Sequence, residues 1–265
     1  MITTATLAAF GLYLIRTGAL FVAAPVFGTG AAFSGYRIAL VFAVSFLLFG
    51  STGAEVEADL SPIVFGMMAL REVMIGLSLA FILVLVQLIA RMAGDLVGNQ
   101  MGLGMANQTD PVTGVQTALI SRVYDTIFII GFLAVDGHHV LLRALSDSFD
   151  RAPIGRINME LPMVELIVRF FGETFEAGIT FAAPVMVFML LLSVLIGTLA
   201  RVVPQINVLE MGFTFRVGLA LVAMYIFAPI ISPALMNIYD LQSEWLNLLL
   251  DGMSGQPVMV EAIGG

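Results

Sequence analysis

The fold class is decided by one apolar stretch at residues 62–90, PIVFGMMALREVMIGLSLAFILVLVQLIA. A helix needs about 20 mainly apolar residues to cross a bilayer, and this stretch is longer than that. Comparable stretches lie at about 6–27, 36–50, 119–146, 176–203 and 211–236. Their uneven lengths indicate tilted, kinked or incomplete crossings. The sequence therefore predicts an all-α membrane protein built from helical hairpins.

The composition of the 265-residue chain agrees with this class. Hydrophobic residues make up 60% and charged residues 11%, whereas soluble domains have about 45–50% and about 25%. The net charge of -8 argues against a nucleic-acid partner, because phosphate binding requires clustered cations. The absence of cysteine and lysine excludes thiol nucleophiles, Walker-type ATP sites and Schiff-base chemistry. We expect no enzymatic activity and no cofactor.

Every basic residue is an arginine, and several arginines interrupt the apolar stretches. These are Arg16, Arg71, Arg143 and Arg216. An unpaired cation that faces lipid costs at least about 2.5 kcal/mol at the bilayer centre. We therefore expect these guanidinium groups to be hidden against carboxylates, water or other subunits.

Arg71 and Glu72 are adjacent in the middle of the longest apolar stretch. Adjacent residues on a helix do not face one another, so we expect each to find its partner elsewhere. Two explanations remain open at this point. The pair belongs either to a bundle held by ion pairs between helices or to the proton relay of a transporter.

Glycines recur at every fourth position after this stretch, at Gly94, Gly98 and Gly102. On a helix they would share one face, against which a second backbone can pack closely. The sequence then becomes polar and reaches Asp110-Pro111, and the proline disfavours helix at the residue before it. The residue pattern alone favours an ordinary loop after a closely packed helix.

The segment Asp136-Gly-His-His contains both histidines of the chain, His138 and His139. Adjacent side chains on a helix point about 100° apart, so we expect the two rings not to bind one metal ion together. Arg143 lies four residues after His139 and four before Asp147. This spacing predicts that Arg143 is satisfied by neighbours on its own helix.

A polar turn at Pro204, Gln205 and Asn207 separates the last two apolar stretches. It predicts an αα-hairpin over residues 176–236, with Arg201 near the tip. Further along lies Trp245, the only tryptophan, among leucines at helical spacing. This pattern suits either an anchor at the membrane interface or a helix packed on the rest of the protein.

Taken together, these motifs resemble the FliR family, flagellar export-gate subunits of bacterial type III secretion that are related to the SctT subunit of injectisomes. The matching stretches follow in order at residues 71–76, 98–102, 105–107, 110–111, 136–145, 182–184, 199–208 and 212–213. The His-His segment and the Pro-Gln-x-Asn turn are each fairly specific, and together they are a strong match over nearly the whole chain.

The resemblance implies partners, a location and a division of the chain. Members assemble with FliP-type and FliQ-type subunits into a helical pore that an FlhB-type subunit contacts, and exported flagellar proteins pass through it. We therefore expect the chain in the lipid bilayer of the bacterial inner membrane, at the flagellar basal body. One export-gate unit, 1–265, would comprise a FliP-like part, 1–175, and a FliQ-like hairpin and tail, 176–265.

The resemblance also makes residues 105–118 a plug that helps to close the export channel. The residues that carry it are Met105, Ala106, Asn107, Asp110 and Pro111. Met101 and Met105 either form a soft apolar seal or pack in the core, and both interpretations remain open.

The resemblance implies that several charged residues are interface or structural groups. They are Arg71, Glu72, Asp136, His138, His139, Arg143 and Arg201. The alternatives are an injectisome subunit, and an ion-coupled transporter or channel that uses the arginine and glutamate groups within the membrane.

Overall fold

A computed structural model describes residues 4–27, 34–53, 61–102, 119–155, 163–202 and 208–253. Over these ranges the chain is helical and forms no strand, so the predicted all-α class is confirmed. The helices are α1 (Thr4–Ala23), α2 (Ser34–Thr52), α3 (Pro62–Gln100), α4 (Leu119–Ala134), α5 (Gly137–Arg151), α6 (Met163–Val202) and α7 (Val208–Met253). A 3₁₀ turn, Pro25–Phe27, follows α1.

Within the described ranges, four helical segments are long and apolar enough to cross a membrane: Thr4–Ala23, Gly35–Thr52, Pro62–Gln100 and Leu166–Leu199. The number rises to six if the pair α4 and α5 and the two halves of α7 each form one broken span. Helices α3 and α6 have 39 and 40 residues. At about 1.5 Å per residue each is about 60 Å long, twice the thickness of the hydrocarbon core. These helices therefore extend well beyond the apolar layer.

The predicted apolar stretch at 119–146 is two helices in the structure. The break lies at Asp136, which has φ 59 in the left-handed region, where residues with a side chain are uncommon. Helices α6 and α7 are longer than their apolar stretches, because they continue through charged segments to Met163 at one end and to Met253 at the other.

Contacts group the chain into two compact units. Three of the four boundaries fall inside α3, α6 and α7, and the fourth lies between α4 and α5. The first unit contains Met1–Leu85, Asp136–Phe170 and Leu241–Gly265, and the second contains Val86–Val135 and Phe171–Asp240. Each unit is therefore assembled from segments that are distant in the sequence.

In the first unit, α3 packs against α1 through Gly76. A methyl group at this position would collide with the carbonyl oxygen of Arg16 and would lie 2.8 Å from the Cβ of Ala19. Only a residue without a side chain allows the two backbones to come this close. The Gly76 contact thus fixes the level at which α1 and α3 cross.

Aromatic pairs fill the rest of this unit. Tyr13 of α1 stacks on Phe149 of α5, with ring centroids 4.2 Å apart. Trp245 is fully buried and stacks on Phe170 at 4.9 Å. Of the two interpretations of Trp245, the packed helix is confirmed, and it is the last part of α7 rather than a separate element.

The second unit has its own aromatic core. Tyr239 of α7 donates a hydrogen bond from its hydroxyl to the carbonyl oxygen of Phe128 in α4, at 2.9 Å. Tyr124 of α4 meets Phe181 of α6 edge to face, with centroids 5.6 Å apart. These contacts join α4, α6 and α7 in a single core.

Helices α6 and α7 also contact each other within the second unit. Phe188 and Phe227 meet edge to face with centroids 6.2 Å apart, as neighbouring helices of a hairpin would. The turn residues predicted to join the two helices, Pro204, Gln205 and Asn207, lie outside the described residues.

Candidate functional site

The predicted plug lies between the end of α3 and the start of α4. Its own residues, Met105, Ala106, Asn107, Asp110 and Pro111, lie outside the described residues. The structure does describe the two helices that lead into and out of it. Together these form the loop base, which we define as residues 87–102 of α3 with its terminal turn and residues 119–125 of α4.

At the loop base the backbones of α3 and α4 are in direct contact at Gly94. A Cβ added there would lie 2.6 Å from the Cα of Ser121 and 3.1 Å from the Cβ of Tyr124. Both distances are shorter than packed carbon atoms tolerate, since their optimum separation is about 3.5–4.0 Å. Gly98, one turn later, is also buried.

Gly102 differs from the prediction that it shares a helical face with these two glycines. Helix α3 ends at Gln100, and Gly102 has φ 82 in the turn that follows. Its amide N–H donates to the carbonyl oxygen of Asn99 at 3.0 Å. A left-handed glycine is a common way to end a helix, so Gly102 marks where the loop leaves α3.

Met101 is fully buried at this helix end, and its N–H donates to the carbonyl oxygen of Val97 at 3.0 Å. A buried side chain at the helix end is already engaged in the core of the second unit. For Met101 the structure therefore supports core packing over a seal, while Met105 lies outside the described residues.

Polar contacts reinforce the loop base. Arg91 donates from Nε and Nη2 to Oδ2 of Asp125 at 3.0 and 2.8 Å, and Gln87 donates to Oδ1 of the same carboxylate at 3.3 Å. Ser121 donates its hydroxyl hydrogen to the carboxylate of Asp95. Sequence reasoning missed these groups, because the partners lie on different helices and no spacing on one helix relates them.

A buried ion network lies in the first unit. Arg16 is fully buried, and its Nε donates to Oε2 of Glu72 at 2.5 Å. Its Nη1 and Nη2 donate to the carbonyl oxygens of Ser148 and Ala152, both at 2.7 Å. These carbonyls belong to the end of α5, where a cation is favourable, and the carbonyl oxygen of Ser148 also accepts from the N–H of Ala152 at 2.9 Å. Arg16 thus caps α5.

Arg71 completes the network. Its Nη1 donates to Oε1 of Glu72 at 3.2 Å and to the carbonyl oxygen of Pro153 at 2.9 Å. Each of the two residues finds a partner elsewhere, as expected, because Glu72 pairs with Arg16 and Arg71 with the carbonyl oxygen of Pro153. The contact between Arg71 and Glu72 themselves was not expected. The long guanidinium side chain reaches the carboxylate of its neighbour, although the two Cβ atoms point in different directions. Two cations share one carboxylate, and Arg16 also lies 4.1 Å over the ring of Phe149.

The segment at the start of α5 brings three potential metal ligands together. One donor atom each from Asp136, His138 and His139 lies within 4.8 Å of the others, and the two imidazole centroids are 4.1 Å apart. The expectation that the two imidazole side chains point well apart is wrong here, because their donor atoms lie within 4.8 Å of each other. At the first turn of a helix, side-chain rotation brings both rings to one side.

The remaining arginines that the sequence singled out are exposed or half-buried. Arg143 is exposed, and within the described part of α5 it makes no ion pair with Asp147, contrary to the prediction from their spacing. Arg201 is exposed in the last turn of α6, where a cation is favourable. Arg216 is half-buried, and its Nε has no hydrogen-bond partner among the described residues.

The chain was also compared with known proteins. The model of the family described as bacterial export proteins, family 1, matches residues 7–241. The chain belongs to this family. It is 27% identical to the flagellar biosynthetic protein FliR of Bacillus subtilis (strain 168), over 91% of this chain and 94% of the relative. The predicted membership of the FliR family is confirmed.

Two further relatives have names from two export systems. The flagellar biosynthetic protein FliR of Escherichia coli (strain K12) is 27% identical over 93% of each chain. The surface presentation of antigens protein SpaR of Shigella sonnei is 27% identical over 80% of this chain and 81% of the relative. The match to the family model includes the loop base, the buried ion network and the cluster at the start of α5.

Proposed function

We propose that this membrane protein is a non-enzymatic subunit of the flagellar type III export gate in the bacterial inner membrane. With FliP-type, FliQ-type and FlhB-type subunits it builds the channel through which unfolded flagellar proteins cross. Its membership of the export family and its likeness to FliR over nearly the whole chain support this proposal.

The gating role rests on one observation, the direct contact of α3 and α4 at Gly94. This contact joins the helices that precede and follow residues 103–118, and the Arg91–Asp125 ion pair is a second contact between the same two helices. We propose that the segment carried by this base blocks the passage at rest. The loop moves to open the passage while the base keeps its structure.

A role in an assembly is supported by the apolar side chains left exposed. Exposed residues of α2 include Tyr36, Ile38, Phe42, Phe46 and Leu47. Exposed residues of α6 include Phe175, Ile179, Val187, Leu190, Leu191 and Val194. Exposed apolar patches of this extent mark membrane or subunit interfaces.

An ion-coupled transporter is the alternative, and the polar residues do not favour it. Glu72 is fully buried and accepts hydrogen bonds from two guanidinium groups, an arrangement that suits a fixed support rather than a carboxylate that exchanges protons. Arg143, the third group that a transporter would use, is exposed on α5.

Deletion of residues 106–117 tests the plug. Cells that express the deleted protein should become permeable to small solutes, because nothing then blocks the channel at rest. The matched control replaces the same residues with glycine and serine, which keeps the length of the loop and removes its side chains. Unchanged permeability with the deleted protein present in the membrane at normal levels would refute the plug.

Complementation separates the flagellar system from the injectisome. We expect the gene to restore swimming in a flagellated host that lacks its own FliR. Restoration of injectisome secretion without swimming would assign the chain to the other system, while leaving the export function intact.

A further inference from the structure

We propose that Asp136, His138 and His139 form a binding site for a divalent transition metal ion of the zinc class. The three side chains offer two imidazole nitrogens and one carboxylate oxygen, all within 4.8 Å of one another. This inference is independent of the export function, and it rests on how the start of α5 is built.

Asp136 does not perform the usual role of an aspartate at its position. It is the N-cap residue of α5, where the carboxylate normally accepts a hydrogen bond from the first turn, yet it makes no such bond. Its Oδ1 instead lies 3.2 Å from Nδ1 of His139. The backbone at Asp136 is also left-handed, with φ 59. The carboxylate of Asp136 therefore contacts His139 rather than the backbone amides of the first turn of α5.

His138 provides the second observation. Its Nδ1 is inaccessible to solvent and has no hydrogen-bond partner among the described residues. Buried polar atoms are nearly always paired, so the ring of His138 is placed without a protein acceptor to orient it. It nevertheless lies beside the ring of His139, with centroids 4.1 Å apart. A shared cation explains why the two rings come together.

The donor set selects the class of ion. Imidazole nitrogen with one carboxylate suits zinc, copper or nickel, whereas calcium and magnesium require mainly oxygen ligands. Three protein ligands leave one position of a tetrahedral zinc ion for water.

Small side-chain rotations would bring the three donor atoms close enough together to bind one zinc ion. Zinc–ligand bonds of about 2.0–2.1 Å place the donors of a tetrahedral site about 3.4 Å apart, closer than the 4.8 Å limit within which they lie here. The side chains of Asp136 and His139 are 70% and 58% exposed, so they are free to rotate. A bound ion would tie the residue before α5 to the first turn of the helix.

The chain itself makes the test specific. It contains two histidines and no cysteine, so an imidazole-bound metal has one possible location. The full chain is purified in detergent with an affinity tag that lacks histidine, and zinc chloride is titrated by calorimetry. Cobalt chloride is titrated in parallel, because tetrahedral cobalt has a strong visible absorption. We expect one ion per chain and a tetrahedral cobalt spectrum.

Two variants locate the site. His139→Ala should weaken zinc binding by at least tenfold, since loss of an outer partner of a metal ligand alone costs about 10–100-fold. Asp147→Asn, an exposed carboxylate on the same helix, is the matched control and should bind as the wild type does. Circular dichroism checks that both variants keep their helix content.

Two results would overturn the proposal. The first is a wild-type protein that binds no zinc or cobalt in the micromolar range. The second is a folded His139→Ala variant that binds as tightly as the wild type and shows the same cobalt spectrum, because the ion would then be held by carboxylates elsewhere.

Discussion

Glu72→Gln is the sharpest test of how this chain places charges in an apolar interior. Glu72 and Arg16 are 0% exposed and Arg71 is 7% exposed. Glutamine has nearly the same shape as glutamate, so the substitution removes the charge without opening a cavity. It leaves two guanidinium groups side by side with no counter-charge.

The expected loss of stability in Glu72→Gln depends on which hydrogen bonds Arg16 keeps. Arg16 keeps its hydrogen bonds to the carbonyl oxygens of Ser148 and Ala152 and to the hydroxyl of Ser148. These neutral acceptors do not balance a second buried cation. Removing one partner of a buried ion pair costs about 3–5 kcal/mol. In a protein of this size that corresponds to a fall in melting temperature of about 6–20 °C.

The assay is thermal unfolding of the purified chain in detergent, followed by circular dichroism. Arg71→Gln is the matched control, because it leaves one cation with one carboxylate. It removes the hydrogen bonds from Nη1 to Oε1 of Glu72 and to the carbonyl oxygen of Pro153, and a hydrogen bond to a charged group contributes about 1.5–3 kcal/mol. If Glu72→Gln lowers the melting temperature no more than Arg71→Gln does, the network does not act as a buried charge balance and the reasoning is refuted.

Two further predictions concern packing and are checked by the same unfolding measurement. Gly94→Ala should cost about 1–3 kcal/mol, because the new Cβ would lie 2.6 Å from the Cα of Ser121. Gly218→Ala, whose Cβ would meet no described atom within 4 Å, should gain about 0.5–1 kcal/mol. Equal effects of the two would contradict the close contact of α3 and α4. Trp245→Ala should cost about 3–5 kcal/mol, because the ring is fully buried on Phe170; a loss below about 1 kcal/mol would mean that the end of α7 is not packed.

The class of fold can be predicted from the sequence because hydropathy is averaged over many consecutive residues. Long apolar stretches such as 62–90 predict helices, and α3 covers this one completely. The same averaging hides the break before α5, since one aspartate hardly changes the mean over 119–146. The break depends on the backbone conformation of Asp136, which no average over side chains contains.

The candidate sites follow less directly from the sequence. Arg16 and Glu72 are 56 residues apart, and no periodicity relates positions on separate helices. Hydropathy shows that Arg16 needs a partner, while only packing shows which carboxylate it finds. The plug itself stays a prediction from the resemblance, because its residues lie outside the described ranges and their pattern alone favoured an ordinary loop.

The polar side chains of the described helices differ in how many hydrogen-bond partners they have. This difference helps to distinguish groups that stabilise the fold from groups that have another role. Arg16 donates to a carboxylate and to the carbonyl oxygens at the end of α5, whereas the buried Nε of Arg71 has no hydrogen-bond partner among the described residues. The Arg91–Asp125 pair is partly exposed, at 47% and 17%, and pairs of this kind contribute little to stability.

The position of the Arg91–Asp125 pair matters more than its small contribution to stability. The pair lies at the loop base and joins α3 to α4, the two helices that flank the proposed plug. The cluster at Asp136 is different again, since its carboxylate caps no helix and its neighbour His138 has an unpaired ring nitrogen. The side chains of Asp136 and His139 are largely exposed, so the case for a bound ion is the convergence of three ligand atoms within 4.8 Å. The metal titration therefore tests whether the convergence of these three side chains reflects a bound ion.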